Sequence, residues 1–426
     1  MTRRIVVVGA GLTGLAVAQG LAEAGLDVEV VEAAARAGGA IATARDRGYL
    51  VESGPHAYLD RPAIARLVES AGLARERREV RDGLAFMLAR RGTLLAVPST
   101  PAGLLASPIL PLAAKARAIR AAKAARWSGG EESLRAWATR TFGEAVAPIA
   151  DAAAVALFAG DAERLSVDHA FPPLRDLGRR GGDPLAYFAS LRREARFVSL
   201  ERGLGSLVEA LAAITRVSLG EEVLALEKKQ EVFSIATTKS TRKADGVVLA
   251  IPPGRAAAVL GAAWTPPREA SIAVVALGYD AGDARRVQGH GYVASPSEGR
   301  FALGATFDSH LLPGRAPASR VLVRAFVGGV RHPGRARLDD ATLRDEVHRD
   351  LASLGLVAGE PRFSRVVRPP PVPQIEIGHG ALLAAARAAE ARMPGLVVTG
   401  TGWRTLTPDG LAAEAEAATA RVLAQA

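Results

Sequence analysis

Cysteine is absent from all 426 residues. The chain therefore carries no disulfide, no thiolate metal site, no redox-active thiol and no sulfur to which a prosthetic group could be bonded. That fits a reducing compartment. Aromatic residues make up only 5%. No run of 18 or more residues is wholly apolar, so no transmembrane helix is expected. The first strand begins almost at Met1, so no cleavable signal is expected. Low-complexity tracts are missing. So are a nucleophile–base motif, a metal-ligand cluster and a paired-carboxylate signature. Lysine is scarce, and the net charge of +10 is carried mostly by scattered arginines. With few interleaved aromatics and no RNA-binding motif, nucleic acid is not an expected partner.

What is present starts at once. Arg4-Ile5-Val6-Val7-Val8 reads as a buried parallel strand. Gly9-Ala10-Gly11-Leu12-Thr13-Gly14 follows and leads into a helix over Leu15 to Ala24, ended by Gly25. A second strand, Val28 to Val31, closes on Glu32, 18 positions past Gly14 (32 − 14). This is the order of a dinucleotide-binding βαβ unit. Gly9 is expected to make the tight turn, Gly11 to admit a pyrophosphate, and Gly14 to let helix and strand pack closely. Leu12 and Thr13, inside the glycine run, are expected cofactor contacts, and the Glu32 carboxylate is placed for ribose hydroxyls. A second glycine turn follows, with Arg36, Gly38 and Gly39. It resembles the extended FAD signature of the flavoprotein superfamily that includes amine oxidases, phytoene desaturases and protoporphyrinogen oxidases. An ordinary Gly-Gly turn before a strand is the plainer alternative.

Only one such fingerprint occurs, so electrons are expected from an organic substrate rather than from a nicotinamide. Length suggests two or three domains. Residues from about 100 to 165 read as mostly helical, broken by Pro98, Pro101, Pro108 and Pro111. An apolar stretch, Leu104 to Leu110, precedes a basic helix with Lys115, Arg117, Arg120, Lys123 and Arg126, ending at Trp127. Two readings stand there: docking in a membrane interface, or a core-packed helical unit with a solvated basic face. Strands are expected at Val217–Leu219, Val223–Leu226, Val232–Ile235, Val247–Ala250, Ile272–Leu277, Phe301–Leu303, Val321–Phe326 and Gly395–Gly400. Helices are expected at Leu207–Ile214, Ala341–Leu354 and Leu411–Ala424.

Further distinctive segments are Gly48 to His56, Glu132-Ser133-Leu134, Ala159 to Ser166, Phe171-Pro172 and Ser199 to Leu207. Gly304 to Ser309, Pro313 to Pro317, Phe326 to Gly329 and Pro373 to His379 continue the series. Through them the chain resembles, over nearly its full length, the oxygen-dependent, FAD-containing protoporphyrinogen oxidases. Three departures stand out. Threonines replace glycines in Gly400 to Asp409; Ile375 and Arg368-Pro369-Pro370-Pro371 alter the segment before His379; and Phe86 stands where some members carry an arginine for a substrate propionate. Arg90 or Arg91 is the candidate replacement.

The resemblance implies a mixed α/β (α+β) fold. A Rossmann-type FAD-binding domain would be assembled from residues 1–80, 201–255 and 381–426. A β-sheet substrate domain would comprise 81–100, 171–200 and 256–380, and a helical membrane-docking subdomain 101–170. It adds Gly54, Pro55, His56, Val223, Gly400 and Trp403 to the expected cofactor contacts, with one non-covalent FAD per chain. His379 is expected in a turn. It implies six-electron oxidation of protoporphyrinogen IX, in three hydride transfers to flavin N5, with dioxygen as acceptor and hydrogen peroxide as product. The flavin carries the chemistry, so no side chain is expected to be an essential acid or base and no metal is expected. Location would be cytoplasmic, peripheral on the inner face of the cell membrane through 104–127. The alternatives are a coproporphyrinogen III oxidase, a flavin amine oxidase or carotenoid desaturase, and a non-catalytic porphyrin-binding relative. Low aromatic content counts against the cage that amine oxidases usually carry.

Overall fold

A computed structural model describes residues 2–425 apart from 82–85, 98–102, 104–105, 123–128, 185, 188–189, 191–194 and 263. Its centre is a five-stranded, wholly parallel sheet, in the order Val217–Ser218, Asp27–Val31, Arg4–Val8, Gly246–Leu249, Leu396–Val398. Strands from both ends and the middle of the chain thus meet in one sheet. Parallel strands are covered on both faces, which is why they read as unbroken apolar runs. Side chains alternate between the faces. Ile5 and Val7 join the core under the helices Leu12–Glu23, Gly205–Ile214 and Pro408–Leu423. Val6 and Val8 join a second core. That core lies under the antiparallel sheet Val223–Lys229, Val232–Thr237, Thr241–Ala244 and the helices Pro253–Leu260 and His379–Arg392.

The second large unit is a seven-stranded mixed sheet. Its order is Phe363–Val367, Ile272–Asp280, Arg320–Gly328, Gly304–Thr306, Gly291–Ala294, Phe86–Arg90, Thr93–Ala96. Val323, Ala325 and Val327 face the helix Asp340–Ser353 through Leu343, Val347 and Leu351. The alternate residue Leu322 packs on Tyr49 and Val51 of the hairpin Thr43–Asp46/Tyr49–Glu52. Asp339 caps the Asp340–Ser353 helix by accepting the Thr342 N–H at 2.9 Å. A third, helical core gathers Ile109, Leu110, Leu134, Trp137, Phe142 and Phe158.

Several local expectations change. The strand expected at Phe301–Leu303 lies at Gly304–Thr306, where the chain pairs with Gly291–Ala294 and Arg320–Gly328; of the expected residues only Leu303 reaches those strands, through Ala294 and Phe326. His379 opens a helix rather than sitting in a turn, with Gly378 as its left-handed N-cap at φ +92°. Lys115 is buried, so that cation does not belong to a solvated face. Arg117 and Arg120 of the helix Leu112–Ala122 are exposed. Leu104, Leu105, Lys123, Arg126 and Trp127 lie outside the described residues. Among the described residues no helix is long and apolar enough to cross a membrane.

Candidate active site

The glycine turn after the first strand is built as its spacing demands. Gly9 takes φ +100°, and its N–H reaches the Val31 carbonyl at 2.8 Å, tying the turn to the second strand. A Cβ on Gly14 would lie 1.9 Å from the Gly9 carbonyl oxygen, so only glycine lets helix and strand approach this closely. Gly11 differs. It is the N-cap of Leu12–Glu23, with no side chain capping the helix, and a Cβ there would meet nothing within 4 Å. Open space in front of uncapped helix N–H groups is what an anionic pyrophosphate requires. Leu12 and Thr13 are buried, and the Thr13 hydroxyl lies 3.5 Å from the Leu411 carbonyl on the closing helix.

The second glycine turn folds back on the first. The Gly38 N–H donates to the Ala10 carbonyl at 2.7 Å, and Gly11 and Gly38 bridge in parallel. Gly39 adopts φ +57° directly against the Gly11 Cα. Arg36 holds this turn from outside by donating to the carbonyls of Ala37, Gly39 and Ile41. The Glu32 carboxylate accepts the N–H groups of Ala10 at 2.7 Å and Ala34 at 2.8 Å, which places it at the lip of the glycine turn. The Glu221 N–H donates to the Glu32 carbonyl at 2.9 Å, which brings Val223 to the same edge of the sheet.

The segment Gly54-Pro55-His56 joins this assembly. A Cβ on Gly54 would fall 2.6 Å from the Ala40 carbonyl, and the Ser53 hydroxyl donates to that carbonyl at 2.8 Å. Gly54 is thus packed against the backbone that follows Gly38 and Gly39. Gly400, at φ +106°, packs on Ala250 at the end of the neighbouring strand. Trp403 is buried more deeply. Its indole N–H donates to the Ile251 carbonyl at 2.8 Å, its ring meets Trp264 edge-on, and its carbonyl lies 2.6 Å from His379 Nε2. The Thr407 hydroxyl caps the helix Pro408–Leu423.

Beneath Gly54-Pro55-His56 lies a buried charge cluster that the motif search missed. Arg324 Nε donates to Asp308 Oδ2 at 2.8 Å, and its Nη1 donates to the carbonyls of Glu52 at 3.0 Å and Gly54 at 2.6 Å. Arg315 donates to the Ser199 hydroxyl at 2.8 Å, and that hydroxyl donates to the His56 carbonyl at 2.6 Å. Glu52 accepts from Thr43 Oγ1 at 2.6 Å and from the Leu204 N–H at 2.9 Å. Burial raises the Glu52 carboxyl, with Arg315 opposing. Burial would also raise Asp308, but the adjacent Arg324 guanidinium holds it below its ordinary value. Burial, with Arg324 next in weight, pushes His56 down to about 3, so its ring is neutral at physiological pH. The sequence did hold a signal: Val321-Leu322-Val323-Arg324-Ala325-Phe326 puts a lone cation inside an apolar strand.

Phe86 begins its strand with its ring 4.0 Å from the His290 ring, and His290 in turn lies 5.5 Å from the His56 ring. Arg90 and Arg91 sit at the far end of that strand. Arg90 donates to the Ile109 carbonyl, and the Arg91 N–H donates to Glu298 at 2.6 Å. They line a separate open pocket with Thr93, Leu95, Pro108 and Leu110.

Residues 12–416 match the flavin-containing amine oxidoreductase family. The chain belongs to that family. It is a flavin-dependent oxidoreductase. Coproporphyrinogen III oxidase of Bacillus subtilis is 28% identical to it, over 94% of each chain. Chloroplastic protoporphyrinogen oxidase 1 of Spinacia oleracea is also 28% identical, over 90% of this chain and 77% of its own. The crystal structure of a protein described as a protoporphyrinogen oxidase from Exiguobacterium sp. 255-15 superposes with a TM-score of 0.87 at 22% identity, covering both chains fully.

Proposed function

We propose that this flavoprotein binds FAD and oxidises protoporphyrinogen IX to protoporphyrin IX in porphyrin biosynthesis. The observation that carries the reading is the doubled glycine cradle. Gly11 opens onto free space, Gly38 and Gly39 close over it, and Glu32 stands at its lip. That donor set suits a dinucleotide: helix N–H groups for the pyrophosphate and a carboxylate for ribose hydroxyls. The names of the relatives supply the substrate class.

The bound flavin supplies a two-electron acceptor. Leu12 and Thr13 present backbone N–H groups to the pyrophosphate. Gly54, Pro55 and His56 would hold the flavin ring system, and Val223, Gly400 and Trp403 would complete the cofactor contacts. The face of the large sheet that carries Arg324 also carries Phe326, a half-buried aromatic suited to a flat macrocycle. The overall balance is protoporphyrinogen IX plus three dioxygen to protoporphyrin IX plus three hydrogen peroxide. No residue here needs to act as an essential acid or base. The basic segment 104–127 would bring the enzyme onto an anionic cytoplasmic membrane surface as a peripheral contact.

Coproporphyrinogen III is the second substrate reading, favoured by the even length match to the Bacillus subtilis relative. Phe86 in place of an arginine favours the less anionic protoporphyrinogen, since four propionates need more cationic partners. The purified protein should absorb near about 370 and 450 nm, as bound flavins do. Anaerobic mixing with protoporphyrinogen IX should bleach the longer band, and admission of air should yield about three peroxides per porphyrin. Bleaching by a primary or secondary amine, with neither porphyrinogen active, would replace this reading with an amine oxidase.

A further inference from the structure

Three alternate carbonyls of one short segment are held by two buried arginines. Arg324 takes those of Glu52 and Gly54 directly, and Arg315 takes that of His56 through the Ser199 hydroxyl. Neither arginine is exposed beyond 2%. Burying guanidinium groups is costly unless counter-charges and hydrogen bonds accompany them. Both are present. Asp308 pairs with Arg324 at 2.8 Å and is itself held by Thr306 Oγ1 at 2.6 Å; Glu52 lies 3.6 Å from Arg315. A segment that needed only a stable turn would not require this. At its end stands His56, whose Nε2 is enclosed yet has no hydrogen-bond partner. An enclosed, unpartnered ring nitrogen two residues beyond Gly54 points to a ligand group that completes it.

We propose that Arg324, anchored by Asp308, is a positioning residue for the oxidation: it fixes the Glu52–His56 segment so that the His56 ring nitrogen is presented to the bound flavin–porphyrinogen pair. This rests on the reading that Gly54-Pro55-His56 borders the flavin. Arg324 touches no reacting atom in this scheme and acts through His56. The neighbouring charges are consistent with a neutral ring, because Arg324 and Arg315 disfavour a second proton more than Asp308 favours it. A neutral imidazole offers one donor or one acceptor at Nε2, set by its tautomer.

The test uses the full-length holoenzyme. Arg324→Met with Asp308→Asn removes both charges together and avoids stranding one of them. Ser199→Ala releases the His56 carbonyl and leaves every charge in place, with Arg315 keeping its bond to the Leu200 carbonyl, so it serves if the double variant does not fold. For each, FAD affinity, half-saturation by protoporphyrinogen IX and the anaerobic single-turnover rate are measured. The double variant should keep FAD affinity and half-saturation within about threefold and lose about 100-fold in rate, the scale of a misplacement of about 1 Å. Ser199→Ala should lose rate in the same direction, by about tenfold. His56→Ala added to the double variant should cost nothing further, as expected of residues acting through one another. A wild-type rate in the double variant, or an independent additive loss from His56→Ala, overturns the inference. If the wild-type flavin is reduced by neither porphyrinogen, the reaction reading fails. The positioning claim is then decided by the visible flavin spectrum: a shifted band in the double variant supports it, and an unchanged band overturns it.

Discussion

Arg324 and Asp308 form an ion pair sealed inside the protein, 2.8 Å apart and each no more than 1% exposed. It joins the large mixed sheet to the loop that follows the Tyr49–Glu52 strand, because Arg324 also holds the Glu52 and Gly54 carbonyls. The Tyr49–Glu52 hairpin and the large mixed sheet are therefore locked together by charge-assisted hydrogen bonds as well as by the Tyr49, Val51 and Leu322 contact.

The same cluster makes stability depend on pH through His56. Its native value, about 3, lies below the ordinary 6.5. The unfolded chain therefore binds the proton more readily. The stability this contributes is complete above about pH 6.5 and declines as pH falls from there toward 3. His56→Gln should flatten the fall in Tm between about pH 6 and pH 4 relative to wild type. Equal slopes for the two proteins would show that His56 is protonated in the native state.

Gly11 and Gly14 separate folding from cofactor binding. A Cβ at position 14 strikes the Gly9 carbonyl at 1.9 Å, so Gly14→Val should cost about 3 kcal/mol or more and reduce soluble yield. A Cβ at position 11 meets nothing, so Gly11→Val should leave apoprotein stability within about 1 kcal/mol. It should nevertheless purify with little flavin, since the branched side chain occupies the pyrophosphate space. Glu32→Ala should weaken flavin binding by about 1–3 kcal/mol, the range for hydrogen bonds to a charged group. Flavin absorbance per protein in each purified variant provides the check. Full occupancy in Gly11→Val would show that the cradle is not the pyrophosphate site.

The cradle was legible because its constraints are local. A strand, glycines at fixed offsets, a helix and an acid all fall between Arg4 and Glu32, and each has one physical duty. The Arg324 cluster was not legible, because its partners Glu52, Ser199, Asp308 and Arg315 come from separate segments, and only the folded chain shows which charge each one meets. Phe301–Leu303 failed as a strand for a related reason: its composition suits a strand, but pairing depends on partners that composition does not reveal.

A second buried network should govern acid stability. Arg242 bonds Glu221 through Nε at 3.0 Å and Nη2 at 2.7 Å, and also bonds Glu29 on the second strand. This ties the three-stranded sheet to the parallel one. The Arg242 hydrogen bonds bring Glu221 down to about 2 against burial, from an ordinary 4.5. The stabilisation is therefore complete above about pH 4.5 and is lost as pH falls toward 2. Glu221→Gln should lower Tm at pH 7 and narrow the gap to wild type by about pH 3. A gap that stays constant across that window would show that the carboxylate contributes nothing through its charge.

Membrane attachment has a test that separates core from surface. Leu110 lies among Ile109, Trp137 and Phe142 and is 5% exposed, so Leu110→Ser should cost about 2–5 kcal/mol and lower Tm rather than act on lipid binding. Leu112, one turn-start later, is 75% exposed and shares its helix with exposed Arg117 and Arg120. An apolar side chain beside cations is what an anionic bilayer surface engages. Leu112→Ser should leave folding stability within about 0.5 kcal/mol of wild type, as surface changes do, and should weaken sedimentation with anionic vesicles. Binding should also fall between about 0.1 M and 1 M salt, where the screening length drops from about 10 Å to about 3 Å. Unchanged recovery with vesicles for wild type and Leu112→Ser, at both salt concentrations, would assign this helix to the protein's own helical core and remove the membrane contact from the proposal.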